Sequence, residues 1–296
     1  MPATELPRLG FVGLGNMGMP MASRLVAAGY PVTGFDVAEP VRATFAAAGG
    51  SAVDSLGAVA AAADILVLML PDSKIVNAVM SDPGLRDDLA RGTLVLDMSS
   101  SEPIKTRALA AELDANGVVL IDAPVSGGVK GAVNGTLTIM VGGPAASMAT
   151  ALPVLEHLGK PVHAGPVGSG HAIKALNNLL SATHLLATSE AMIAGKRFGL
   201  DPEVMLSIFN SSSGRSGSTE NKWPNFILPG SYDSGFGLRL MLKDMRTATD
   251  LADQLDAPDQ LGKAAVELWA KAADELPPTA DHTEIAKWLA GLEVGL

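Results

Sequence analysis

Lys174 and Asn178 stand four residues apart in a stretch, residues 168–199, that the sequence predicts to be one long helix. Residues at this spacing lie on the same helical face, so an amine and an amide point in the same direction. Asn177 and His171 are each three residues from Lys174 and flank that face. A buried lysine has its pKa lowered from about 10.4, which is the property that a general acid or base needs. The pair is therefore a candidate catalytic constellation.

A structural interpretation competes with the catalytic one. Lys174 could reach solvent along its own aliphatic stem or pair with a carboxylate, as most lysines in folded proteins do. From the helix alone we favour this structural interpretation.

The helix that carries Lys174 is predicted from its ends and its composition. It contains no proline, begins at a Gly-Ser-Gly turn with Ser169 as the expected cap, and ends at Gly199 before Asp201-Pro202. At 1.5 Å per residue it would run about 45 Å, long enough to leave one domain and enter another. From Leu176 to Ala194 it is apolar or small on almost every side, so we expect it to be buried.

A glycine-rich turn follows the first predicted strand. Leu9 to Leu14 is a short apolar run, and Gly13-x-Gly15-x-x-Gly18 then opens a helix. In dinucleotide-binding folds the first glycine makes the turn, the second lets a pyrophosphate approach the backbone, and the third lets helix and strand pack closely. The turn therefore predicts a dinucleotide site.

Asp36 ends the second predicted strand, Val32–Phe35, 18 residues after Gly18. A carboxylate at this position binds a ribose 2′-hydroxyl and repels a 2′-phosphate. The nearest following basic residue, Arg42, is six positions further on. This spacing favours NAD over NADP, with NADP still possible, and the alternative is that Asp36 is a turn residue at the end of a strand.

Strands and helices alternate up to residue 165. After residue 50 the predicted strands are Ser51–Val53, Ile65–Leu70, Thr93–Met98, Val118–Ile121, Thr136–Val141 and Val162–Ala164. Such apolar runs separated by helices are typical of a mostly parallel sheet covered on both faces. Beyond Gly199 only helices and a Ser/Gly loop at 211–218 are predicted. We expect an α/β, Rossmann-type domain over residues 1–165 and an all-α domain over residues 166–296, which begins with the long interdomain helix and shares a rigid cleft with the first.

Ligands in such sheets bind outside the carboxyl ends of the strands, where Leu70-Pro71, Ser99 to Ser101 and Asp122-Ala-Pro-Val-Ser-Gly-Gly128 are predicted to lie. In the last segment, the hydroxyl of Ser126 and the N–H groups of Gly127 and Gly128 could form an anion site for a small carboxylate. Ser-Gly-Gly is also common turn chemistry, so a plain turn is the alternative.

Composition narrows the class of ligand. A formal net charge of -10 and a pI near 4.9 argue against nucleic acid or an anionic membrane as a partner. The absence of cysteine excludes disulfides and thiolate metal sites, and we expect no metal. The start, MPATELPRLG, does not resemble a signal peptide and the apolar runs are too short to span a bilayer, so we expect a cytoplasmic protein.

Four motifs together resemble the β-hydroxyacid dehydrogenases, the 3-hydroxyisobutyrate dehydrogenase family. They are GLGNMGMPMA from Gly13 to Ala22, DAPVSGG from Asp122 to Gly128, GxGxxxKxxNN from Gly168 to Asn178, and Lys243-Asp244-Met245. The resemblance covers nearly the whole chain, in the order of the family.

The resemblance implies roles for individual residues. Lys174 matches the catalytic general acid/base of the family, so we now favour the catalytic interpretation of this residue over the structural one. It implies substrate contacts for Ser126, Gly127, Gly128, Asn178, Phe236 and Asp244. Besides Asp36, it implies further cofactor contacts, namely Gly13, Leu14, Gly15, Asn16, Met17, Gly18, Leu70, Pro71, Ser100 and Lys243. An asparagine that some members place after Leu70-Pro71 is replaced by Ile75, so Asn77 receives no cofactor role. We read His171 as a structural or rim residue and Arg215 as a solvated loop residue.

The expected function is hydride transfer between NAD and a small β-hydroxy acid, or the corresponding semialdehyde. The alternatives on the same fold are an NADPH-dependent glyoxylate or succinic semialdehyde reductase and an imine reductase, which usually lacks the catalytic lysine. Larger 6-phosphogluconate dehydrogenases favour NADP, which Asp36 opposes. A non-enzymatic scaffold is opposed by the presence of Lys174 and Asn178. The apolar long helix also predicts a homodimer or homotetramer formed through the helical domain.

Overall fold

The computed structural model describes residues 6–291. The first five residues of MPATELPRLG lie outside that range, and so does Leu292, the last residue of the helix that the sequence predicts over residues 281–292. The chain divides into two compact units, residues 1–174 and 175–296. The division falls between Lys174 and Ala175, inside the long helix, whereas the sequence predicts a boundary at residue 165, before that helix.

Nine strands form one sheet in the described part of the first unit, residues 6–174. They are β1 (Leu9–Val12), β2 (Val32–Phe35), β3 (Ser51–Ala52), β4 (Ile65–Leu68), β5 (Leu94–Asp97), β6 (Val119–Asp122), β7 (Val125–Ser126), β8 (Leu137–Gly142) and β9 (Gly159–Gly165).

The sheet is mostly parallel, as predicted, with two exceptions, β8 and β9. Its order is β3-β2-β1-β4-β5-β6-β8, and every neighbouring pair from β3 to β6 is parallel. β8 runs antiparallel to β6 and β7, and β9 is parallel to β8, so both β8 and β9 run against the direction of β1 to β6. Because β2 and β4 flank β1 on opposite sides, the winding reverses there, and open α/β sheets bind ligands outside the carboxyl ends of the strands at such a point.

Both faces of the sheet are buried along its central strands β1, β4, β5 and most of β6, which explains why these strands are continuous apolar runs. Leu9, Phe11, Ile65 and Val67 belong to the core on one face. The residues between them, such as Leu66, belong to the core on the other face. Alternate side chains of a strand point to opposite faces, so each face receives its own set of apolar side chains.

Among the residues that the structure describes, eight helices connect these strands. They are α1 (Gly18–Ala27), α2 (Glu39–Ala47), α3 (Leu56–Ala61), α4 (Ser73–Met80), α5 (Pro83–Asp88), α6 (Pro103–Asp114), α7 (Gly128–Asn134) and α8 (Ala145–Leu155). The sequence does not predict α5 and α7, because six or seven residues are too few to show a helical apolar period.

The helix α9 (Ser169–Phe198) runs from the first unit into the second. The other helices of the second unit are α10 (Pro202–Asn210), a π-helix (Ser218–Ile227), α11 (Leu238–Gln254), α12 (Gln260–Glu275), a 3₁₀ helix (His282–Glu284) and α13 (Ile285–Gly291). No strand occurs between residues 175 and 291, which agrees with the predicted all-α domain. None of the helices within residues 6–291 combines the length and the apolar character needed to cross a membrane.

The helix α9 is not buried on every side, and that expectation is wrong. Ile173, Leu176 and Leu180 are 43%, 43% and 59% exposed. Their spacing of three and four residues places them on one face of the helix. The opposite face carries buried residues such as Ala182 and Leu185, so the described elements cover only one side of α9.

Candidate active site

The glycine turn between β1 and α1 has the close contacts that its pattern predicts. Gly13 has a φ of +94°, and a Cβ atom there would lie 2.3 Å from the carbonyl oxygen of Met69. A Cβ atom on Gly18 would lie 1.8 Å from the carbonyl oxygen of Gly13, so the third glycine lets the helix approach the turn. A Cβ atom on Gly15 would meet no atom within 4 Å, so the second glycine faces open space.

The start of α1 has the donors that a phosphate group needs. No side chain within residues 6–291 caps the first turn of α1, which leaves backbone N–H groups there for another acceptor. Gly15 and Asn16 are exposed, Met17 is half-buried, and Leu14 packs into the core. The turn therefore fits the pyrophosphate of a dinucleotide.

Asp36 lies directly beside this turn. Its carboxylate accepts hydrogen bonds from the backbone N–H groups of Leu14, at 2.9 Å, and Ala38, at 3.0 Å. Each carboxylate oxygen keeps lone pairs for a further donor, such as a ribose hydroxyl. Arg42 is also close, since its guanidinium donates to the carbonyl oxygens of Asp36, at 2.8 Å, and Val37, at 3.3 Å. The sequence separation of six residues does not show this proximity.

The predicted cofactor contacts Leu70, Pro71 and Ser100 lie at the carboxyl ends of two neighbouring strands. Leu70 and Pro71 follow β4, and Ser100 follows β5, whose last residue Asp97 pairs with Leu68. The backbone N–H of Leu70 donates to the hydroxyl of Ser99 at 2.9 Å. The two segments are therefore joined at one edge of the sheet.

Ser126, Gly127 and Gly128 form the turn from β7 into α7. Gly127 has a φ of +131° and Gly128 a φ of +61°, so both backbones lie where a side chain would be strained. Ser126 is half-buried and Gly127 is exposed. The segment is thus a true turn, as the structural alternative holds, and its polar groups remain accessible to a ligand.

The start of α9 is fixed by a buried carboxylate at the end of β6. Asp122 accepts hydrogen bonds from the backbone N–H groups of Gly168, at 2.6 Å, and His171, at 2.8 Å. Burial raises the pKa of Asp122, although the imidazole of His171 opposes that rise. The sequence predicts Ser169 as the cap and misses Asp122, because this contact spans 46 residues.

Gly170 lets α9 lie against β8. A Cβ atom on Gly170 would lie 2.1 Å from the carbonyl oxygen of Met140. The second glycine of the GxGxxxKxxNN motif is therefore required by packing.

His171 is buried rather than at a rim, and both its ring nitrogens have partners. Its Nδ1 lies 2.9 Å from the hydroxyl of Thr106, and its Nε2 lies 3.1 Å from the carbonyl oxygen of Ser99. The carboxylate of Asp97 is 3.8 Å from Nε2. This network ties the first turn of α9 to the end of β5, which gives His171 a structural role.

Lys174 lies on the same face of α9 as His171, one turn further along, and it is only 7% exposed. The snorkelling interpretation would leave the lysine largely exposed. The burial of Lys174 matches the environment that a proton-transferring lysine needs.

In the second unit, Asn178 is held by Asp244. The side-chain amide of Asn178 donates to the Asp244 carboxylate at 2.6 Å, and Lys243 pairs with the other carboxylate oxygen at 3.0 Å. The carbonyl oxygen of the Asn178 amide accepts a 3.3 Å bond from Asn177. Within residues 6–291, the second N–H of the Asn178 amide has no partner, so it can donate to a ligand.

Phe236 lies beside His282 in the second unit. The two rings pack edge to face with centroids 5.8 Å apart, and the backbone N–H of Phe236 donates to Asp281 at 3.2 Å.

Arg215 forms an exposed ion pair with Glu220 at 2.7 Å, which is consistent with a solvated loop residue. The first unit thus holds together the glycine turn, Asp36 and the strand ends, and the second holds together Asn178, Lys243 and Asp244.

Comparison with known proteins gives two family matches that divide the chain. Residues 8–168 match the family described as the NAD binding domain of 6-phosphogluconate dehydrogenase. Residues 168–289 match the family described as NAD-binding of NADP-dependent 3-hydroxyisobutyrate dehydrogenase. The two matches meet at the start of α9.

Individual relatives match over most of both chains. 2-(Hydroxymethyl)glutarate dehydrogenase of Eubacterium barkeri is 40% identical, over 88% of this chain and 88% of its own. The mitochondrial 3-hydroxyisobutyrate dehydrogenase of Mus musculus is 39% identical, over 97% of this chain and 88% of its own. A solved structure of Mycobacterium tuberculosis 3-hydroxyisobutyrate dehydrogenase with L-serine superposes with a TM-score of 0.91 at 33% identity, covering 96% of this chain and 99% of that one.

Proposed function

The chain belongs to the β-hydroxyacid dehydrogenase family, and from this premise we propose that it oxidises HOCH₂–CH(R)–COO⁻ to the semialdehyde with NAD as hydride acceptor. The family membership makes it a nicotinamide-dependent oxidoreductase that acts on a hydroxyacid. The nature of the substrate and the choice of NAD are the parts that we propose.

The proposed substrate class comes from what the relatives' compounds share. 3-Hydroxyisobutyrate, 2-(hydroxymethyl)glutarate and L-serine, which the names of those proteins mention, are all HOCH₂–CH(R)–COO⁻. Only R differs, and it is a methyl, a carboxyethyl or an ammonium group. A site for this class needs an anchor for the carboxylate, a base for the hydroxyl and a hydride acceptor.

The observation that carries the proposal is the buried face of α9. Lys174 is buried on that face, and one turn later Asn178 presents an N–H that has no partner within residues 6–291. In the proposed reaction, Nζ of neutral Lys174 takes the hydroxyl proton, and the Asn178 amide donates to the substrate oxygen. The hydroxyl of Ser126 and the N–H groups of Gly127 and Gly128 hold the carboxylate.

The residues around the glycine turn fit the cofactor. NAD, when bound, supplies the acceptor for the hydride that leaves the carbinol carbon. The exposed N–H groups at the start of α1 would hold its phosphates, and the carboxylate of Asp36 would accept from a ribose hydroxyl. Leu70, Pro71, Ser100 and Lys243 are the further contacts that we propose for it.

The test is a comparison of Lys174→Met with the wild-type enzyme. Removing the proton acceptor should lower kcat for 3-hydroxyisobutyrate by about 10²- to 10⁴-fold, the usual contribution of a general base. The affinity for NAD, measured by fluorescence titration, should change less than about twofold because this residue is not among the proposed cofactor contacts. An unchanged kcat in Lys174→Met would refute the assignment.

We also propose that the chain forms a homodimer or homotetramer through its helical unit. The exposed side chains of Leu176 and Leu180 support this proposal, since contiguous apolar surface of this kind is usually covered in an assembly. Sedimentation at micromolar concentration should give the mass of two or four chains, and a single-chain mass would contradict it. The cytoplasmic location stays a prediction from the sequence.

A further inference from the structure

Lys222 is a half-buried cation in the helical unit that the proposed reaction does not use. It lies on the π-helix, and its Nζ donates to the hydroxyl of Ser181 on α9 at 2.6 Å and to the Ser181 carbonyl oxygen at 3.3 Å. Both partners are neutral, and within residues 6–291 Lys222 forms no ion pair. An ammonium group with only neutral partners keeps much of the cost of leaving water.

The charged groups around Lys222 do not offer a counter-ion in contact with it. The carboxylate of Asp281 raises the pKa of Lys222 through its charge, but its oxygens are occupied by donors from two segments, namely Ser234, Gly235, Phe236 and Thr283. His282 is neutral at pH 7, because burial lowers its pKa to about 4. Desolvation lowers the pKa of Lys222 to about 8, so the amine is still protonated at pH 7.

The backbone at Lys222 is unusual. The π-helix contains Pro224, and the N–H of Leu228 donates to the carbonyl oxygen of Trp223, five residues earlier. Wide turns of this kind are rare and often occur at functional sites. The indole N–H of Trp223 donates to Ser189 at 3.3 Å, which fixes the π-helix against α9.

The contact between Lys222 and α9 falls on the face that carries the proposed reaction site. Lys174, Asn178 and Ser181 follow one another at spacings of four and three residues, so they share one face of the helix. Ser181 is about 4.5 Å further along the helix axis than Asn178. A substrate held at Lys174 and Asn178 would therefore extend its R group towards Lys222.

We propose that Lys222, with the hydroxyl of Ser181, is a subsite for an anionic R group, so that the preferred substrate is a β-hydroxy dicarboxylate. The proposal rests on the proposed oxidation and names its substrate class. A carboxylate in R supplies the counter-ion that the Lys222 ammonium lacks. The relative that acts on 2-(hydroxymethyl)glutarate shows that such a compound exists within the family's range.

The kinetic test compares 2-(hydroxymethyl)glutarate with 3-hydroxyisobutyrate. We expect the wild-type enzyme to have a kcat/KM at least tenfold higher for the dicarboxylate, and Lys222→Met to lower this ratio by ten- to a hundredfold. Lys222→Arg keeps the charge and should retain most of the preference. Lys196→Met, which removes an exposed lysine near the end of α9, is the matched control and should keep the wild-type ratio. A wild-type ratio near one, or an unchanged ratio in Lys222→Met, would overturn the subsite.

A binding test separates this proposal from the proposed reaction. Glutarate and butyrate lack the hydroxyl group, so their binding, measured by calorimetry, requires no turnover. If glutarate binds more tightly than butyrate and this difference is lost in Lys222→Met, the subsite is supported, even if no hydroxyacid is oxidised. A lack of oxidation would then refute the proposed reaction but not the subsite. Oxidation of both hydroxyacids with equal binding of glutarate and butyrate would refute the subsite alone. Thermal unfolding of Lys222→Met and Lys222→Arg shows that each variant is folded before either test.

Discussion

The side-chain amide of Asn178 donates a 2.6 Å hydrogen bond to the carboxylate of Asp244, and both residues are buried. A carboxylate can only accept hydrogen bonds from an amide, so Asp244 fixes which edge of the Asn178 amide faces it. The Lys243 ammonium, 3.0 Å from the other carboxylate oxygen, keeps this carboxylate paired. Asp244 thereby orients the second N–H of the Asn178 amide, which we propose donates a hydrogen bond to the substrate oxygen.

Replacing Asp244 should disturb catalysis through Asn178. In Asp244→Asn the new amide offers Asn178 either a donor or an acceptor, and Lys243 loses its counter-ion, so we expect kcat/KM to fall about 10- to 100-fold, or roughly 1.4–2.7 kcal/mol. Steady-state kinetics that separate kcat from KM would measure this. Asp250→Asn removes an exposed carboxylate from the same helix and is the control. If Asp244→Asn and Asp250→Asn had the same kcat/KM, Asp244 would not orient Asn178.

The cofactor preference should depend on Asp36 and, once Asp36 is replaced, on Arg42. In Asp36→Ser the repulsion of a 2′-phosphate is removed while the Arg42 guanidinium remains nearby. We expect the ratio of kcat/KM for NAD to that for NADP to fall at least about tenfold. Adding Arg42→Ala should weaken the use of NADP again, because the remaining cation is lost. An unaltered ratio in Asp36→Ser would contradict the role of this carboxylate.

Removing the carboxylate of Asp122 should loosen the start of α9. In Asp122→Ala the buried N–H groups of Gly168 and His171 lose their acceptor, which should cost about 2–3 kcal/mol of the free energy of unfolding. Urea unfolding would measure the loss, with the exposed Asp114→Ala as the control. Because Lys174 lies one turn further along, kcat should fall as well. A loss of stability below about 0.5 kcal/mol would show that Asp122 does not hold the helix.

Lys222 should make stability depend on pH in the alkaline range. Its pKa is about 8 in the folded protein, below the ordinary value of 10.5, so between these values the unfolded chain binds more protons. The penalty for burying the ammonium is therefore present below pH 8 and is relieved as the pH rises from about 8 to 10.5. Lys222→Met should be more stable than wild type by about 1–3 kcal/mol at pH 7, with the gap closing at pH 10.

Urea unfolding at pH 7, 8.5 and 10 without added carboxylates would test this, with Lys196→Met as the exposed control. A constant difference between Lys222→Met and wild type across this range would mean that the amine is not desolvated in the folded protein.

Local patterns in the sequence predict most of the architecture. Apolar runs such as Ile65–Leu68, separated by helical segments, predict a mostly parallel sheet with helices on both faces. The glycine turn and Asp36 predict the nucleotide site, and the spacing of Lys174 and Asn178 predicts an amine and an amide on one helical face. These are local properties, because backbone dihedrals and the period of apolar residues are set within a few residues.

The pairing of polar groups and the covered face of the long helix follow from packing between distant segments, which the local sequence does not show. Asp122 holds the start of α9 across 46 residues, Asp244 orients Asn178 across 66, and Lys222 contacts Ser181 across 41. Nothing in the local sequence marks these partners, because any carboxylate or hydroxyl could serve and the choice depends on how the intervening chain packs. The exposed Leu176 and Leu180 have the same origin, since an apolar helix shows how much surface it offers but not which neighbours cover it.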